Sequence, residues 1–447
     1  MPPRKSKPIP SGLRQFLRQH DRVSQVKLAD ALIPFLEDGN RPIVFDEERL
    51  WRYEPSEGIF VMLENAEVAN LIYDLDGLQT AKGKYRVSNQ EANSVLRVIE
   101  RRLTKNGFFF APPEGVSVSN GFLAIENNKI TLRPHTPDQK QRSRLEVRYN
   151  ENADSSACDA FLYETFADNA LVDLIYEVIG VALFGYGGHY QTIIVFYGEG
   201  ANGKGVITKL IQNLIPAFAR SSISPSEWLL DYHRVLLVGS RFNAVGELPP
   251  LKGRHMEMFK SITAGDTITV RRLGKDGFEF MPCALHAFST NHLPPLPETG
   301  VAIQRRLLVI PFTQILPPEK RNPKFADELF KNNAEGLLRR AVEGFVSTLS
   351  RRRFARPEPV QLATLSWINR SNPVKVFAEL KIVRTGQPKD RIAAVDMFKR
   401  CCEFCTKENL SIPSSERELR TSLENLGYSM TKSSRMYWVG VRFCNSP

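Results

Sequence analysis

Apolar residues recur at helical spacing in several parts of the chain. Between Leu171 and Ala182 they lie three or four residues apart, which predicts a helix with one buried face. The same spacing predicts further helices over residues 27–36, 89–103, 327–349, 393–409 and 415–426.

Four short runs differ from these segments because they are continuously apolar and rich in β-branched residues. They are TIIVFY, RFNAV, ALHAFS and RLLVI. Such runs are typical of strands that are covered on both faces, as in a parallel sheet. Alternating patterns predict hairpins in VFDEERLWRYEPSEGIFVML, in VSVSNGFLAIENNKITLRPHT and in the C-terminal RMYWVGVRF. The pattern predicts an α/β fold, flanked by an α+β unit and by a winged-helix-like unit of two helices and a hairpin.

The chain divides where pattern and composition change. Residues 1–20 hold Arg4, Lys5, Lys7, Arg14 and Arg18 and no acidic residue, which predicts a flexible basic tail. The remaining units are expected to be an N-terminal α+β unit over 21–150, the α/β core over 151–350, a basic linker over 351–369 and the winged-helix-like unit over 370–447.

Charge and cysteine content limit which partners and which cellular compartment are expected for the chain. The chain has 60 lysines and arginines against 49 acidic residues, and this net charge of +11 favours an anionic partner such as nucleic acid. No apolar run approaches the ~18 residues of a membrane helix, so export and membrane spanning are not expected. The six cysteines suggest no disulfide framework, which favours a reducing cytoplasm. Cys402 and Cys405 have zinc-ligand spacing without a second pair, and we expect them to pack within a helix.

A glycine-rich segment follows the first apolar run. The sequence GEGANGKG lies directly after TIIVFY and before the helical VITKLIQNLI. Glycines let backbone N–H groups surround phosphates, the helix start adds its positive dipole end, and the lysine reaches the β- and γ-phosphates. The sequence therefore predicts a phosphate loop for ATP formed by Gly198, Gly200, Ala201, Asn202, Gly203, Lys204, Gly205 and Val206.

Magnesium is the expected cofactor of this nucleotide site. Position 205 is glycine, where the usual serine or threonine would supply a hydroxyl group to Mg²⁺. Thr208, one helical turn later, or an ordered water is expected to replace it. Glu247 follows RFNAV, where a carboxylate can hold the metal shell and polarise an attacking water, although an exposed loop acid would show the same pattern.

Two other strand ends carry candidate site residues. Asn291 ends the strand ALHAFST and is expected to sense the γ-phosphate and orient the water, unless it is a simple turn residue. Arg305 and Arg306 precede LLVI, and either guanidinium group can act as an arginine finger on a neighbouring subunit's γ-phosphate. Paired arginines are also common on surfaces.

The segment GDTITVRRLGKDGFEF predicts a β-hairpin with a basic tip. Arg271, Arg272 and Lys275 give this tip the charge to follow a phosphate backbone, although a solvated surface hairpin is the alternative. Asp74 and Asp76 have the spacing of metal-binding carboxylates in nucleotidyl transfer, but no matching histidine and third acid follow them. A primase centre is therefore the less favoured interpretation of that pair.

Taken in order, these motifs resemble the superfamily 3 helicases, specifically the phage and plasmid primase-helicase family related to the poxvirus nucleoside triphosphatase. The segments SNGFLAI, PHTP, VRYNENADSSACDAFLYETFA and IYEVIGVALFG are similar to the helicase-associated domain of that family. The segments GEGANGKG, GELPP, ITAGDTITVRRLGKDGFEFMP, FSTNHLPPLPET and IQRRLLVIPF follow in the family's order. The resemblance covers residues 90–350.

The resemblance implies an AAA+ ATPase that assembles as a ring hexamer, with ATP and Mg²⁺ between subunits and a hairpin from each subunit on single-stranded DNA. It implies that Lys204 binds the phosphates, Glu247 serves metal and water, and Asn291 is the sensor. It places Arg271, Arg272 and Lys275 on DNA and Arg305 or Arg306 on the neighbour's nucleotide. Many relatives carry a primase-polymerase domain, and this chain begins almost where the helicase-associated domain begins, so a separate primase or polymerase is an expected partner.

Two other functions stay open on the residues alone. A DNA-binding initiator or loader would use the nucleotide as a switch without unwinding, and it would not need the hairpin. A small-molecule kinase would not need the C-terminal unit. We expect a replicative DNA helicase of a phage, plasmid or other mobile element, acting on single-stranded and forked DNA in a bacterial host cytoplasm.

Overall fold

The computed structural model describes residues 9–37, 39, 41–111, 114–251, 253–317, 321–408, 410 and 412–444. The helices are α1 (Ser11–Arg18), α2 (Gln25–Glu37), α3 (Asn65–Tyr73), α4 (Asn89–Leu103), α5 (Ser156–Phe166), α6 (Asn169–Phe184), α7 (Gly187–Tyr190), α8 (Lys204–Leu214), α9 (Asp231–Arg234), α10 (Gly253–Ala264), α11 (Val301–Gln304), α12 (Phe325–Arg351), α13 (Glu358–Ser371), α14 (Pro373–Lys381), α15 (Ala394–Lys407) and α16 (Glu416–Asn425). The strands are β1 (Ile43–Asp46), β2 (Arg49–Glu54), β3 (Ile59–Leu63), β4 (Gln79–Thr80), β5 (Gly83–Lys84), β6 (Gly115–Val118), β7 (Gly121–Glu126), β8 (Lys129–Arg133), β9 (Arg144–Leu145), β10 (Ile193–Tyr197), β11 (Arg220–Ser221), β12 (Phe242–Val245), β13 (Ile268–Arg271), β14 (Gly277–Phe280), β15 (Leu285–Thr290), β16 (Leu307–Pro311), β17 (Ile382–Arg384), β18 (Arg391–Ala393), β19 (Ser429–Lys432), β20 (Met436–Val439) and β21 (Val441–Phe443).

A parallel five-stranded sheet forms the centre of the molecule, in the order β11-β12-β15-β10-β16. Its strands β10, β12, β15 and β16 are the four apolar runs, so the predicted α/β class with a parallel sheet is confirmed. Alternate residues of β10 enter different cores. Ile194 and Phe196 pack with residues of α6, α8 and α12, whereas Ile193 and Val195 pack with residues of α10, α13 and the β13–β14 hairpin. Both faces of the sheet are therefore covered.

The N-terminal helices α1 to α4 and strands β1 to β3 share a separate apolar core. Helix α1 departs from the predicted flexible tail over 1–20, because Leu13 and Leu17 lie one turn apart and are fully buried in this core. Arg4, Lys5 and Lys7 lie outside the described residues. The predicted helices at 27–36 and 89–103 and the predicted strands between them are confirmed.

The four-stranded sheet β8-β7-β6-β9 departs from the predicted domain boundary at residue 150. Its buried residues Val116, Val118, Leu123 and Leu145 pack in the same core as α6 and α12. The predicted hairpins are present, but they belong with the central sheet rather than with the N-terminal helices. Sequence patterning finds such strands without showing which core they enter.

Arg241, the residue directly before β12, connects the four-stranded sheet to the central sheet through hydrogen bonds. Its guanidinium group is fully buried and donates to the carbonyl oxygen of Leu183 at 2.7 Å, to Gln141 Oε1 at 2.7 Å, to Ser143 Oγ at 3.2 Å and to the carbonyl oxygen of Gly115 at 3.3 Å. No carboxylate pairs with it among the described residues, and burial lowers its pKa to about 10. Neutral oxygens alone therefore compensate this buried charge.

Helix α13 occupies most of the predicted linker over 351–369. Val360, Trp367 and Ile368 are buried on this helix, which packs along β16. The apolar spacing of this helix comes directly after a basic stretch, and such stretches are typical of linkers. The linker prediction is therefore wrong for Glu358–Ser371.

The C-terminal unit combines α14, α15 and α16 with the paired strands β17-β21 and the sheet β18-β20-β19. Helices α15 and α16 and the β19–β20 hairpin confirm the predicted elements. Of the two cysteines predicted to pack within a helix, Cys405 is fully buried on α15 and Cys402 is half-buried on the same helix. The order of elements is compatible with a winged helix, which stays a prediction. Within the described part of the chain, no helix is long and apolar enough to cross a membrane.

Candidate functional site

The loop between β10 and α8 has the backbone shape that the glycine-rich segment predicted. Gly198 and Gly203 have φ angles of 153° and 91°, and a Cβ atom on Gly198 would clash with the carbonyl oxygen of Phe312. Ala201 is also left-handed, with φ 59°, although it has a side chain. Backbone strain of this kind costs of order 1–3 kcal/mol per residue and is concentrated at functional sites.

Lys204 holds the centre of this loop. Lys204 is the first residue of α8 and is only 9% exposed. Its Nζ atom donates to the carbonyl oxygens of Gly198 at 2.5 Å and Glu199 at 2.7 Å. No carboxylate within the described part of the chain pairs with this ammonium group, and burial lowers its pKa. A buried cation compensated only by neutral oxygens fits a phosphate anion, which would replace the weak carbonyl contacts.

Asn291 and Glu247 lie at the same edge of the sheet as the loop. Asn291 Oδ1 is 3.3 Å from Lys204 Nζ, and the Gly198 N–H donates to the carbonyl oxygen of Thr290 at 3.3 Å. Glu247 follows the end of β12 and is exposed, while the next residue, Leu248, is bound to β15 through its N–H group. The structure thus brings Lys204 and Asn291 into contact and leaves Glu247 accessible on the adjacent strand.

The first turn of α8 has space at position 205 for a side chain that could bind a metal ion, but the residue there is glycine. Gly205 is exposed, and a Cβ atom there would have no heavy atom within 4 Å. Thr208 Oγ1 donates to the carbonyl oxygen of Lys204 at 3.0 Å, which leaves its lone pairs for a cation. The described residues contain no group of three or more histidine, cysteine or acidic side chains placed to hold a metal ion. Oxygen donors such as the Thr208 hydroxyl group and the Glu247 carboxylate are of the type that Mg²⁺ takes, and Mg²⁺ usually keeps several waters.

The segment after β16 supports the loop, and no sequence pattern predicts this contact. Asn202 is buried and donates from Nδ2 to the carbonyl oxygen of Phe312 at 3.3 Å, while the Leu316 N–H donates to the carbonyl oxygen of Ala201 at 2.9 Å. Asn202 therefore shapes the loop through its side chain. Gly200 is exposed, and Val206 is half-buried against the core of α6 and α8.

Arg305 and Arg306 lie at the opposite edge of the sheet. The Ile193 N–H at the start of β10 donates to the Arg306 carbonyl oxygen at 2.7 Å. Five strand residues therefore separate the arginines from the loop, which corresponds to about 16 Å. Neither arginine meets Lys204 in the same chain, and this edge is available to another molecule.

The two arginines differ in exposure. Arg306 is 7% exposed and donates from Nη1 to the carbonyl oxygen of Ala302 at 2.8 Å, and burial lowers its pKa. Arg305 is exposed and, among the described residues, its side chain donates to Gln191 Oε1 alone, at 3.0 Å. Arg356, in the predicted linker, donates to the Arg305 carbonyl oxygen at 2.7 Å and so fixes the backbone at this position.

The basic hairpin is present as β13 and β14, which pair from Ile268 with Phe280 to Arg271 with Gly277. Lys275 at its tip is exposed. Arg271 forms an ion pair with Asp231 at 2.7 Å, and Arg272 donates from Nε to the carbonyl oxygen of Glu47 at 3.3 Å. The hairpin tip therefore touches the N-terminal unit.

The remaining sequence candidates do not join this site. Asp76 accepts from the Val87 N–H at 2.9 Å and pairs with Arg86, while Asp74 is exposed beside it. Cys402 is half-buried on α15. The hydrogen bond and ion pair of Asp76 indicate a structural role for this acidic residue.

Comparison with known proteins gives three results. A model of a family of unknown function (DUF5906) matches residues 196–306, which run from the end of β10 to Arg306. The chain is 23% identical over 305 residues to a protein of Acanthamoeba polyphaga mimivirus named "Putative helicase L207/L206". That match covers 62% of this chain and 31% of the viral protein.

The third result concerns fold. The chain is similar to two apo structures of the NrS-1 C-terminal region, with TM-scores of 0.50 and 0.51 and 12% identity. Each match covers 92% of this chain and 98% or 99% of the solved chain. The architecture found here is therefore one already seen in the NrS-1 C-terminal region.

Proposed function

We propose that this chain is an ATP-driven DNA helicase of the replication machinery of a phage, plasmid or other mobile element. The observation that carries the proposal is the buried Lys204 ammonium group, unpaired with any described carboxylate and 3.3 Å from Asn291 at the edge of a parallel sheet. The similarity to a viral protein named as a helicase and to the NrS-1 fold supports it.

The residues of the chain have distinct tasks in this proposal. The backbone N–H groups of the loop and the start of α8 bind the phosphates, and Lys204 neutralises charge on the β- and γ-phosphates. Asn291 orients the attacking water and Glu247 polarises it. Mg²⁺ would supply charge neutralisation between the phosphates, with Glu247 and Thr208 as the protein groups that would hold it.

A second copy of the chain completes the site in this proposal. Arg305 is exposed at the sheet edge about 16 Å from the loop, so it is placed to act on a neighbour's nucleotide rather than its own. The strand order with β10 between β15 and β16 supports an AAA+ core of the superfamily 3 type. We propose a ring, most simply a hexamer, whose hairpins carry Arg271, Arg272 and Lys275 onto single-stranded DNA, with a separate primase or polymerase supplying primers.

Loss of the ammonium group tests this function. We expect the full chain to hydrolyse ATP faster with single-stranded DNA and to displace a strand from a forked duplex, and Lys204→Ala to lower turnover by about 100-fold or more, because phosphate stabilisation is lost. Lys209→Ala removes an exposed lysine of the same helix, which faces Asp327 at 3.8 Å, and it should leave both activities unchanged.

Two outcomes would count against the helicase. Full turnover in Lys204→Ala would remove the phosphate-loop assignment. DNA-stimulated turnover without strand displacement by the unmodified chain would favour the initiator or loader instead.

A further inference from the structure

Two lysines of the N-terminal unit lie over one aromatic ring, and we call Lys105, Phe108 and Lys140 the lysine–aromatic patch. Lys140 Nζ is 4.7 Å and Lys105 Nζ is 5.9 Å from the centroid of the Phe108 ring. Both lysines are exposed, and among the described residues neither has a carboxylate within ion-pair distance. The patch thus presents two uncompensated positive charges and an aromatic surface at one place.

The ring is held rigidly. Phe108 meets Phe60 and Phe109 edge to face, with ring centroids 5.2 Å and 4.8 Å away. The buried carboxylate of Asp46 accepts the N–H groups of Gly107 at 3.1 Å and Phe109 at 2.9 Å. A half-buried ring on a fixed loop loses little conformational entropy when a planar group stacks on it.

A chain of contacts links the patch to the tip of the basic hairpin. Arg272 donates to the Glu47 carbonyl oxygen, and the Glu47 carboxylate pairs with Arg142 Nη1 at 2.5 Å. The Arg142 guanidinium group lies 4.6 Å from the centroid of the Phe109 ring, which contacts Phe108. Asp46 and Glu47 are only 6% and 7% exposed, so the acidic groups on this path are buried rather than facing a ligand.

We infer that the lysine–aromatic patch is a second contact site for single-stranded DNA, next to the hairpin tip. Lys105 and Lys140 would bind backbone phosphates, and the Phe108 ring would stack with a base. An exposed cation–π contact is weaker than a charge-assisted contact to phosphate, so both ammonium groups can leave the ring for the phosphate. Duplex DNA offers no free base face, which is why a single strand fits better. The inference rests on the proposed DNA helicase function.

Binding of fluorescein-labelled oligothymidylate to the full chain, followed by anisotropy over a salt series, tests the patch. We expect the double variant Lys105→Ala, Lys140→Ala to weaken binding about 5- to 20-fold and to reduce the slope of log K against log salt by about 1.4, since each single-strand phosphate contact contributes about 0.7. Phe108→Leu keeps the apolar packing and should weaken binding about 5-fold at an unchanged salt slope.

The matched control removes two exposed lysines of the described chain that lie over no ring. Lys84→Ala, Lys129→Ala changes the net charge equally and should weaken binding less than about 2-fold. If the patch variants match this control, or weaken duplex and single-strand binding in equal proportion, the inference is overturned. Lys204-dependent turnover stimulated by DNA would then still stand, whereas an unmodified chain that binds no oligonucleotide would overturn the proposed function as well.

A photochemical measurement gives an independent result. Oligonucleotides that carry 5-iodouracil crosslink to aromatic side chains in contact with the base. We expect a crosslinked peptide containing Phe108 in the unmodified chain and its loss in Phe108→Leu. Crosslinks confined to the C-terminal unit would contradict the inference.

Discussion

The two edges of the central sheet carry different kinds of chemistry. At the carboxyl edge, Lys204 and Asn291 already touch, and the loop around them is fixed by the segment that follows β16. At the amino edge, Arg306 is buried against its own chain and Arg305 is exposed with a single side-chain contact to Gln191. One edge is organised within one chain, and the other has a cation without an anionic partner in the described chain.

This difference indicates which part of the site a single chain supplies. A strand fixes the separation of its two ends, so no side-chain motion brings Arg305 to the glycine-rich loop of its own chain across about 16 Å. An active site that needs both edges therefore needs two molecules.

Arg305→Ala should have the largest effect on turnover. Loss of an arginine finger lowers ATP hydrolysis by about 1,000-fold or more, because the charge of the transition state is no longer compensated. Arg306→Ala should instead lower thermal stability, because it removes a buried side chain together with its hydrogen bond to the Ala302 carbonyl oxygen. Steady-state turnover and thermal unfolding of both variants separate the two roles.

Mixing inactive variants shows whether the arginine acts between chains. In rings assembled from equal amounts of Lys204→Ala and Arg305→Ala, about a quarter of the interfaces pair an intact lysine with an intact arginine, so about a quarter of the turnover should return. Mixtures that stay as inactive as their components would show that both residues act within one chain. Arg306→Ala in place of Arg305→Ala is the matched comparison.

The free energy of unfolding should depend on pH through His286, which lies in the central sheet between the two edges. This side chain lies on β15 and is fully buried, and its ring centroid is 4.9 Å from that of Trp228. Neither ring nitrogen has a hydrogen-bond partner among the residues that the structure describes. Burial lowers its pKa from 6.5 to about 3. The unfolded chain therefore binds a proton below pH 6.5 that the folded chain does not bind, and the free energy of unfolding falls as the pH falls from 6.5 towards 3.

The variant His286→Leu should remove this dependence. Between pH 6.5 and pH 5 the unmodified chain should lose about 1.6 kcal/mol of unfolding free energy more than the variant, since the slope rises from about 0.7 to about 1.4 kcal/mol per pH unit over this range. Urea unfolding followed by tryptophan fluorescence at both pH values measures the difference. His292→Leu removes an exposed histidine at the carboxyl edge and serves as the control. Equal losses in the unmodified chain and in His286→Leu would refute the assignment.

Gly205→Ser should have the smallest effect of these variants, and it tests metal binding at the carboxyl edge. A serine at this open position supplies the hydroxyl group that Mg²⁺ lacks there, and the concentration of Mg²⁺ for half-maximal ATP hydrolysis should fall about 3- to 10-fold. Gly205→Ala adds the same Cβ atom without the hydroxyl group and is the matched control. If serine and alanine act alike, the change reflects helix propensity alone.

The central elements of the fold were predictable because one physical rule decides them. A strand covered on both faces has to be apolar throughout, and β10, β12, β15 and β16 all show that pattern. The parallel register then places Gly198 beside Asn291, as the strand ends suggested. Helix α13 was missed because its buried Trp367 and Ile368 follow a strongly charged stretch.

Other features depend on contacts between distant segments, which local patterns do not contain. Asn202 supports the loop through Phe312, more than a hundred residues later in the chain. The lysine–aromatic patch needs Asp46, the loop at Lys105 and the turn at Lys140 to meet, and none of these segments has a motif. The roles of Glu247, Thr208 and Arg305 stay predictions until the variants are measured.

The buried guanidinium group of Arg241 sets a limit on how this protein can be dissected. A truncated fragment that starts at residue 151 would strip away Gly115, Gln141 and Ser143 and leave a cation in an apolar cleft with one remaining acceptor. Such a fragment should be insoluble or digested rapidly by protease. Expression boundaries for a fragment that contains the central sheet therefore belong upstream of β6.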